Sequence, residues 1–241
     1  LRAYAVDTVG NWSATNRVSF TYVLTYSLAD YYYPPQPGAV WLYQGPDWSS
    51  ATHTRVRMAD INYSLVLPCP SAVTRQVCVL DSDYGYYSDG VFDSTENWQD
   101  YTSVSNGFAF YGFDDNAEPE HDTEPEESGR FPMTPLPTRM AVGQSGTRTG
   151  VYCDKQGRSL GTVSLKVELR GQTEVTVPAG YYPDCLHLRF TKTAGSVNKV
   201  DEEWWALGIG VIKNTRISGY SSQNNNGGYL QELISTTATK A

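Results

Sequence analysis

The chain of 241 residues has little that would build helices. It contains three methionines and three histidines, and no stretch beyond about two turns combines apolar residues every 3.6 positions with helix caps. Eighteen tyrosines and six tryptophans, together with 21 glycines and 13 prolines, favour strands and turns instead. The sequence therefore predicts an all-β protein.

The sequence also lacks any cluster of lysine and arginine, and its net charge is −8. Nucleic acid and anionic membrane surfaces attract basic patches, so neither is expected as a partner. No apolar run reaches the roughly 20 residues of a transmembrane helix. The sequence starts at Leu1 without a signal peptide or lipid-anchor cysteine, and we interpret it as the processed or truncated C-terminal part of a longer chain.

The C-terminal third carries the clearest strand pattern. From Val163 to Leu169, valine and leucine alternate with polar residues, which is the period of a half-buried strand. Arg170-Gly171 predicts a short turn before the next strand. Further strands are predicted at 173–177, 186–190, 202–206, 211–214 and 231–234. This order predicts an antiparallel meander, folded as a curved sheet, a clam, or a partly open barrel or sandwich.

The start of the chain reads Tyr4-Ala5-Val6-Asp7-Thr8-Val9-Gly10-Asn11-Trp12-Ser13. It resembles the final hairpin of bacterial immunoglobulin-like or fibronectin type III-like modules, in which such a loop joins the last two strands. The resemblance implies that residues 1–25 are the terminal hairpin of such a module and that residues 26–241 form a separate β-rich domain. The alternative is a hairpin that belongs to the main domain.

Three further segments share a second resemblance: Pro37-Gly38-Ala39-Val40-Trp41-Leu42-Tyr43, Pro178-Ala179-Gly180-Tyr181-Tyr182 and Trp205-Ala206-Leu207-Gly208-Ile209-Gly210-Val211-Ile212-Lys213. They are similar to an uncharacterised group of exported bacterial β-rich domains, commonly lipoproteins or C-terminal modules. The resemblance implies a clam-like or partly open barrel at the cell surface or outside the cell, and it implies no activity. Ser145-Gly146 departs from the group's pattern, where an aromatic residue is expected.

Four cysteines are an even number without the spacing of a metal site. We predict one disulfide between Cys69 and Cys78, which are close in sequence, and a long-range one between Cys153 and Cys185. Reduced, buried thiols are the alternative. Disulfides would indicate an oxidising, exported environment.

Catalytic patterns are weak, and we predict no catalytic residue. The three histidines lie in unrelated contexts, and no nucleophile elbow or phosphate-binding glycine loop is present. Glycoside hydrolysis needs two carboxylates about 5 to 10 Å apart. Glu202 and Glu203 lie beside tryptophans, but adjacent strand residues point to opposite faces, so these two cannot form the pair by themselves.

A calcium site is the one cofactor that the sequence suggests. Asp81, Asp83 and Asp89 place carboxylate oxygens around a glycine turn, although no glutamate completes an EF-hand loop. The alternative is a turn in which aspartate side chains cap backbone amides.

The many aromatic residues are the last feature. Core packing accounts for most of them. Some could line a cleft for a glycan or an apolar ligand, and Trp48, Trp98 and Tyr86 are the candidates. A separate prediction is a mobile, solvated loop at residues 114–128, because eight of the fourteen residues from Asp114 to Glu127 are acidic.

These patterns favour an exported surface or secreted module, structural or ligand-binding, without catalytic activity. One alternative is a subunit of an extracellular assembly, in which residues 1–23 add their strands to a neighbouring molecule. The other is a glycan- or lipid-binding module or a glycoside-active hydrolase.

Overall fold

The backbone is extended over most of its length. The computed structural model describes residues 23–33, 35–45, 52–103, 108–115, 128–131, 136–194, 197–218 and 230–238, apart from the side chains of residues 95, 96, 115, 128 and 197. In these residues the chain forms, in order, β1 (Thr25–Ser27), α1 (Leu28–Tyr31), β2 (Val40–Gln44), β3 (His53–Leu67), β4 (Val73–Ser88), β5 (Val91–Ser103), β6 (Ala109–Asp115), β7 (Ser128–Arg130), β8 (Arg139–Ala141), β9 (Ser145–Cys153), β10 (Ser159–Val177), β11 (Gly180–Ala194), β12 (Val197–Ala206), β13 (Gly210–Ser218) and β14 (Leu230–Thr236).

Twelve of these strands form a closed antiparallel barrel, in the order β10-β11-β12-β13-β14-β2-β3-β4-β5-β6-β7-β9. Most neighbours in the barrel are also neighbours in sequence, which confirms the predicted all-β meander. Two pairings between strands that are not consecutive in sequence close the circle: β14 pairs with β2, and β7 pairs with β9. Strands β1 and β8 form a separate two-stranded sheet. The predicted curved sheet is therefore fully closed.

The predicted turn at Arg170-Gly171 is wrong, because β10 continues through it as one strand of 19 residues. Its pairing with β11 shifts register between Leu169 and Gly171, so Arg170 forms a bulge. A bulge bends a strand without ending it, and it leaves the local sequence looking like a turn. Bulges and strong bending allow long strands to wrap around a barrel.

The inner face of the barrel holds most of the hydrophobic core. In β10, Val163, Leu165, Val167 and Leu169 are at most 2% exposed, as their alternation predicts. Trp41 of β2 and Trp205 of β12 are fully buried. Tyr32 follows α1 and packs against Trp205 with ring centroids 5.0 Å apart, so the segment before β2 contributes to this core.

Residues 25–30, at the predicted boundary between the two units, contact the rest of the fold. Leu28 is fully buried and donates its backbone N–H to the Thr138 carbonyl at 3.2 Å. Thr25, predicted as the end of the first unit, pairs with Ala141 across the β1–β8 sheet. The predicted immunoglobulin-like hairpin lies outside the described residues up to position 22, and both that hairpin and strand addition through residues 1–23 stay predictions.

The predicted loop at residues 114–128 is wrong at both ends, because Asp114 lies in β6 and Ser128 begins β7. The Asp114 carboxylate is buried and accepts two hydrogen bonds from Arg130, at 2.8 and 2.9 Å, and one from the Tyr101 hydroxyl at 2.6 Å. Residues 116–127 lie outside the described residues.

The structure corrects the predicted disulfide connectivity: Cys69 is bonded to Cys153, with their Cα atoms 6.5 Å apart, while Cys78 and Cys185 are free. Cys78 lies five residues into β4, about 17 Å along the strand from the turn that holds Cys69. Cys185 lies in β11 opposite Thr173, and its thiol contacts the Tyr182 carbonyl. Closeness in sequence was therefore a poor guide to closeness in the barrel.

Candidate functional site

A cavity of about 190 Å³ lies inside the barrel. Its wall is partly aromatic, with Tyr32, Tyr33, Tyr43, Tyr84, Phe108, Phe110 and Phe190. The remaining wall is largely polar and charged, with Thr54, Ser82, Asp100, Lys192, Lys199, Asp201, Glu203, Asn214 and Gln231. Charged side chains are rare in the interior of a small barrel, so this composition singles out the cavity as the candidate site.

Strand β12 supplies three of the charged groups because its side chains alternate between the two faces of the barrel wall. Lys199, Asp201 and Glu203 all line the cavity. Glu202 instead contacts His187, with Oε2 3.1 Å from Nε2, and is not among the residues that line the cavity. The prediction that Glu202 and Glu203 lie on opposite faces is therefore confirmed, and Glu203 is the one that faces the lumen.

Two carboxyl groups in the lumen are each held by a tryptophan two residues away on the same strand. Trp205 Nε1 donates to Glu203 Oε2 at 2.7 Å, and Trp98 Nε1 donates to Asp100 Oδ1 at 3.1 Å. Burial raises the pKa of Glu203 to about 7, and burial also raises the pKa of Asp100. Near neutral pH, Glu203 can therefore donate or accept a proton in this cavity.

Two lysines, Lys192 and Lys199, supply the positive charges of the cavity wall. Asp201 accepts a hydrogen bond from Arg216 Nε at 3.1 Å, and Lys199 Nζ lies 3.2 Å from its second oxygen. The Lys192 ammonium lies 3.8 Å from the centre of the Phe110 ring. Burial, and after it the positive charge of Lys199, lower the pKa of Lys192 to about 8.

Three neighbouring strands place polar side chains in one row across the lumen. Glu203 pairs with Asn214 of β13, and Asn214 pairs with Gln231 of β14. The Gln231 amide donates to Thr54 Oγ1 at 2.6 Å. The Asn214 Oδ1 atom is buried and has no hydrogen-bond partner among the described residues. An unpartnered buried acceptor costs about 1–3 kcal/mol, which a donor from a bound molecule would offset.

The tyrosines of the cavity are fixed by hydrogen bonds. Tyr43 Oη donates to the Val211 carbonyl at 2.6 Å, so the contact of 2.9 Å between the Tyr33 and Tyr43 hydroxyls requires Tyr33 to be the donor. Burial raises the pKa of Tyr33 and of Tyr43, and both hydroxyls stay protonated at any physiological pH. These two tyrosines are consequently held in place and uncharged.

The structure describes two of the three predicted ligand-binding residues, Trp98 and Tyr86. Trp98 donates to Asp100, a residue of the cavity wall, and stacks on Phe113 with ring centroids 4.7 Å apart. Tyr86 is 47% exposed near the end of β4. Trp48 lies outside the described residues. Of the three, Trp98 alone is tied to the cavity by a described contact.

Two of the three carboxylates predicted to bind calcium, Asp81 and Asp83, form ion pairs with arginines. Arg55 donates to Asp83 at 2.6 and 2.9 Å, and Arg57 donates to Asp81. Asp89 lies in the β4–β5 turn with a φ of 52°. Within the part of the chain that the structure describes, no group of three or more His, Cys, Asp or Glu side chains could hold a metal ion. Calcium binding here stays a prediction, and it would require both arginines to release their carboxylates.

Sequence reasoning missed Asp100, Lys192, Lys199 and Asp201 as site residues. A signal exists in β12, where Lys199, Asp201, Glu203 and Trp205 occupy alternate positions and therefore share a face. The other face carries Val200, Glu202 and Trp204. Because both faces mix apolar and charged residues, hydrophobicity alone could not identify the inner one.

None of the described residues forms a helix long and apolar enough to span a membrane. No protein-family model matches the sequence. No curated protein matches it either.

Two solved structures show a remote likeness to the fold. One is a proposed lipoprotein from Parabacteroides distasonis ATCC 8503, which is 14% identical over 86% of this chain and 99% of its own, with a TM-score of 0.39. The other is a proposed exported protein with YmcC-like fold from Bacteroides fragilis NCTC 9343, which is 13% identical over 86% of this chain and 99% of its own, with a TM-score of 0.38. Likenesses this remote carry no conclusion about what the chain does.

Proposed function

We propose that this protein is a non-catalytic binding module whose barrel lumen takes a small saccharide. The observation that carries the proposal is that aromatic rings and hydrogen-bonding groups line the same cavity of about 190 Å³. Sugars present apolar C–H faces and a rim of hydroxyls, so they bind where both kinds of surface meet. The cavity is smaller than the roughly 300–1,000 Å³ of sites for drug-sized ligands, which limits the ligand to about one sugar ring.

The polar wall favours a saccharide over an alkyl chain. Asp201, Lys199 and Glu203 face the lumen from β12, and Asn214 and Gln231 extend the polar wall across two more strands. An alkyl chain would remove water from these groups without replacing its hydrogen bonds, which is costly. Sugar hydroxyls both donate and accept, and they can replace that water.

An exported location is part of the proposal. The disulfide between Cys69 and Cys153 is of a kind that persists in oxidising compartments and is rare in the cytosol. Binding of a saccharide from the surroundings is consistent with such a location.

The test is calorimetric titration of the full chain with a panel of neutral, amino and acidic monosaccharides and disaccharides. A fatty acid is titrated in the same way as the apolar ligand for comparison. Glu203→Gln should weaken saccharide binding by about tenfold, because it removes a charged hydrogen-bonding group from the cavity. Glu202→Gln is the matched control, since it makes the same change one residue away on the outer face. Binding of the fatty acid alone, or equal effects of the two substitutions, would contradict the proposal.

A second candidate function is glycoside hydrolysis. The observation in its favour is that Asp100 and Glu203 both line the cavity and both have a raised pKa. A glycosidase uses two carboxyl groups, of which one has a raised pKa and acts as the general acid while the other is ionised. The saccharides that bind should therefore be incubated with the protein and analysed for cleavage. Products that form with the unaltered chain and not with Glu203→Gln would replace the binding function with the hydrolytic one.

A further inference from the structure

Lys192 places a primary amine inside the lumen. It lies in β11 and lines the cavity, and its side chain is half-buried, so a small molecule that enters the cavity can reach it. The nitrogen lies 3.8 Å from the centre of the Phe110 ring, which covers one side of it with an apolar surface. Lysine amines in surroundings of this kind are the nucleophiles with which proteins form Schiff bases with carbonyl compounds.

The position of Lys199 also favours the neutral, nucleophilic form of this amine. Lys199 lies directly opposite Lys192 on β12, and both side chains line the cavity. Burial and a neighbouring cation are two ways in which a protein activates a lysine for attack on a carbonyl group. Both are present at Lys192.

The groups that face Lys192 act on its pKa in both directions. Burial is the largest influence and lowers the pKa, and the charge of Lys199 lowers it too. Asp100, Asp201 and Glu203 of the same cavity wall attract the ammonium and raise the pKa. The net result is a fall from the ordinary value of 10.5 to about 8. At pH 8 the amine is therefore neutral in roughly half of the molecules, against about 0.3% for a lysine with the ordinary pKa.

We propose that Lys192 is a covalent binding site, at which its amine forms a reversible imine with the aldehyde of an open-chain sugar. The nitrogen lone pair attacks the carbonyl carbon and forms a C–N bond. The nitrogen then gives up both of its protons, and the carbonyl oxygen leaves with two protons as water, so that a C=N bond replaces C=O. Glu203 lies in the same wall and exchanges a proton near neutral pH, which suits it to relay these protons.

The choice of a sugar aldehyde rests on the proposed saccharide binding, whereas the amine chemistry requires only an aldehyde. Asn214 and Gln231 of the cavity wall offer hydrogen bonds to the hydroxyls of such a ligand. D-Glyceraldehyde is the suitable probe, because it is small enough for the cavity and because hexoses exist almost entirely as closed rings without a free aldehyde.

The experiment incubates the full chain with D-glyceraldehyde at pH 8 and reduces the imine with sodium cyanoborohydride. Mass spectrometry of peptides then gives the rate of modification at each lysine. Lys192 should be modified at least about tenfold faster than Lys166, because a larger fraction of its amine is neutral. Lys166 is the internal reference, since its side chain is 46% exposed on β10. Equal or slower modification of Lys192 would overturn the covalent site.

The substitution Lys199→Met tests how the amine is activated. It removes the opposing charge and should raise the pKa of Lys192, so modification of Lys192 at pH 8 should slow by about twofold or more, as expected for a rise of about half a pKa unit or more. The rate at Lys166 should not change, and the difference at Lys192 should shrink at pH 10, where the amine is neutral in both proteins. An unchanged rate at Lys192 at pH 8 would overturn the activation by Lys199. Lys199→Gln serves the same purpose if the methionine variant does not fold.

Butanal, an aldehyde without hydroxyls, separates this site from the proposed function. If saccharides bind in calorimetry but neither aldehyde modifies Lys192 faster than Lys166, the covalent site is wrong and saccharide binding stands. If both aldehydes modify Lys192 selectively but no saccharide binds, the covalent site stands and the proposed function is wrong. Faster modification of Lys192 by butanal than by D-glyceraldehyde would overturn the sugar as its ligand.

Discussion

Trp205 donates its indole N–H to Glu203, two residues earlier on the same strand, at 2.7 Å. The bond crosses from a fully buried ring to a carboxyl group in the cavity wall, and it fixes the one acid in the lumen whose pKa is raised to about 7. The ionisation of this residue is therefore coupled both to the stability of the core and to the occupancy of the cavity.

The raised pKa of Glu203 predicts a loss of stability as the pH rises. The folded chain holds this proton more tightly than the unfolded chain, whose Glu203 has its ordinary pKa of 4.5. The contribution is therefore complete below about pH 4.5 and is lost as the pH rises through about 7. Relative to Glu203→Gln, the unaltered chain should lose up to about 3 kcal/mol over this range, at roughly 1.4 kcal/mol per pKa unit. Urea unfolding at a series of pH values measures it, and a parallel pH dependence in the two proteins would contradict it.

The disulfide between Cys69 and Cys153 determines how many thiols of the unfolded chain can react with a thiol reagent. Unfolded without reductant, the protein should react with two equivalents of a thiol reagent, at Cys78 and Cys185. With the two disulfides expected from the sequence, the unfolded chain would have no reactive thiol. Cys153→Ser should cost about 4 to 5 kcal/mol in the chain-entropy estimate, because the bridge closes a sequence separation of 84 residues. Cys78→Ser, which breaks no bridge, is the control, and a similar loss of melting temperature in both variants would count against this assignment.

We predict that substitutions of Asp114 and Arg130 have strongly non-additive effects on the free energy of unfolding, because the two side chains form an ion pair. The arginine and aspartate side chains are each 8% exposed, so removal of Asp114 leaves the buried Arg130 guanidinium without its charged partner. Removal of Arg130 leaves the Asp114 carboxylate with the weaker ion pair to Lys155 Nζ at 3.4 Å. Asp114→Asn should cost about 3–5 kcal/mol. The double substitution Asp114→Leu with Arg130→Met should be less harmful than the sum of Asp114→Leu and Arg130→Met alone, because neither of the two buried charges is left without the other. Thermal unfolding of the full cycle gives the coupling energy, and strict additivity would show that the pair acts independently.

We predict that the backbone at Gly45 tolerates no side chain. Its φ is +127°, and an added Cβ would overlap the Leu230 carbonyl oxygen of β14. Gly38 also has a positive φ, of +76°, but a Cβ there would meet nothing within 4 Å. Gly45→Ala should therefore destabilise the protein by about 1–3 kcal/mol more than Gly38→Ala, which carries the conformational strain alone. Equal melting temperatures for the two variants would contradict the close approach.

The sequence predicts the strands of this fold better than its site. The alternation from Val163 to Leu169 identifies β10 because both its period and its inward face are unambiguous. The bulge at Arg170 hid the length of that strand, and closure of the barrel depends on the pairing of β14 with β2, which no local pattern encodes.

The site was harder to predict because its residues break the rule that identifies an inner face. Lys192 and Lys199 point into the barrel, where a pattern of buried strands predicts apolar side chains. The separation of Glu202 from Glu203 was predictable from strand geometry alone. Which of the two lies inside was not, because each has a tryptophan two positions further along on its own face.

The pairing of Glu232 with Gln44 joins the two ends of the meander. Until the ribosome has released Leu230–Thr236, the strand β2 has no partner on that side and the cavity lacks part of its wall, including Gln231. A truncated chain that ends before Leu230 should accordingly remain open to proteases along β2, whereas the released chain that includes Leu230–Thr236 should resist them. The wall of the cavity is therefore complete only after the segment Leu230–Thr236 has paired with β2.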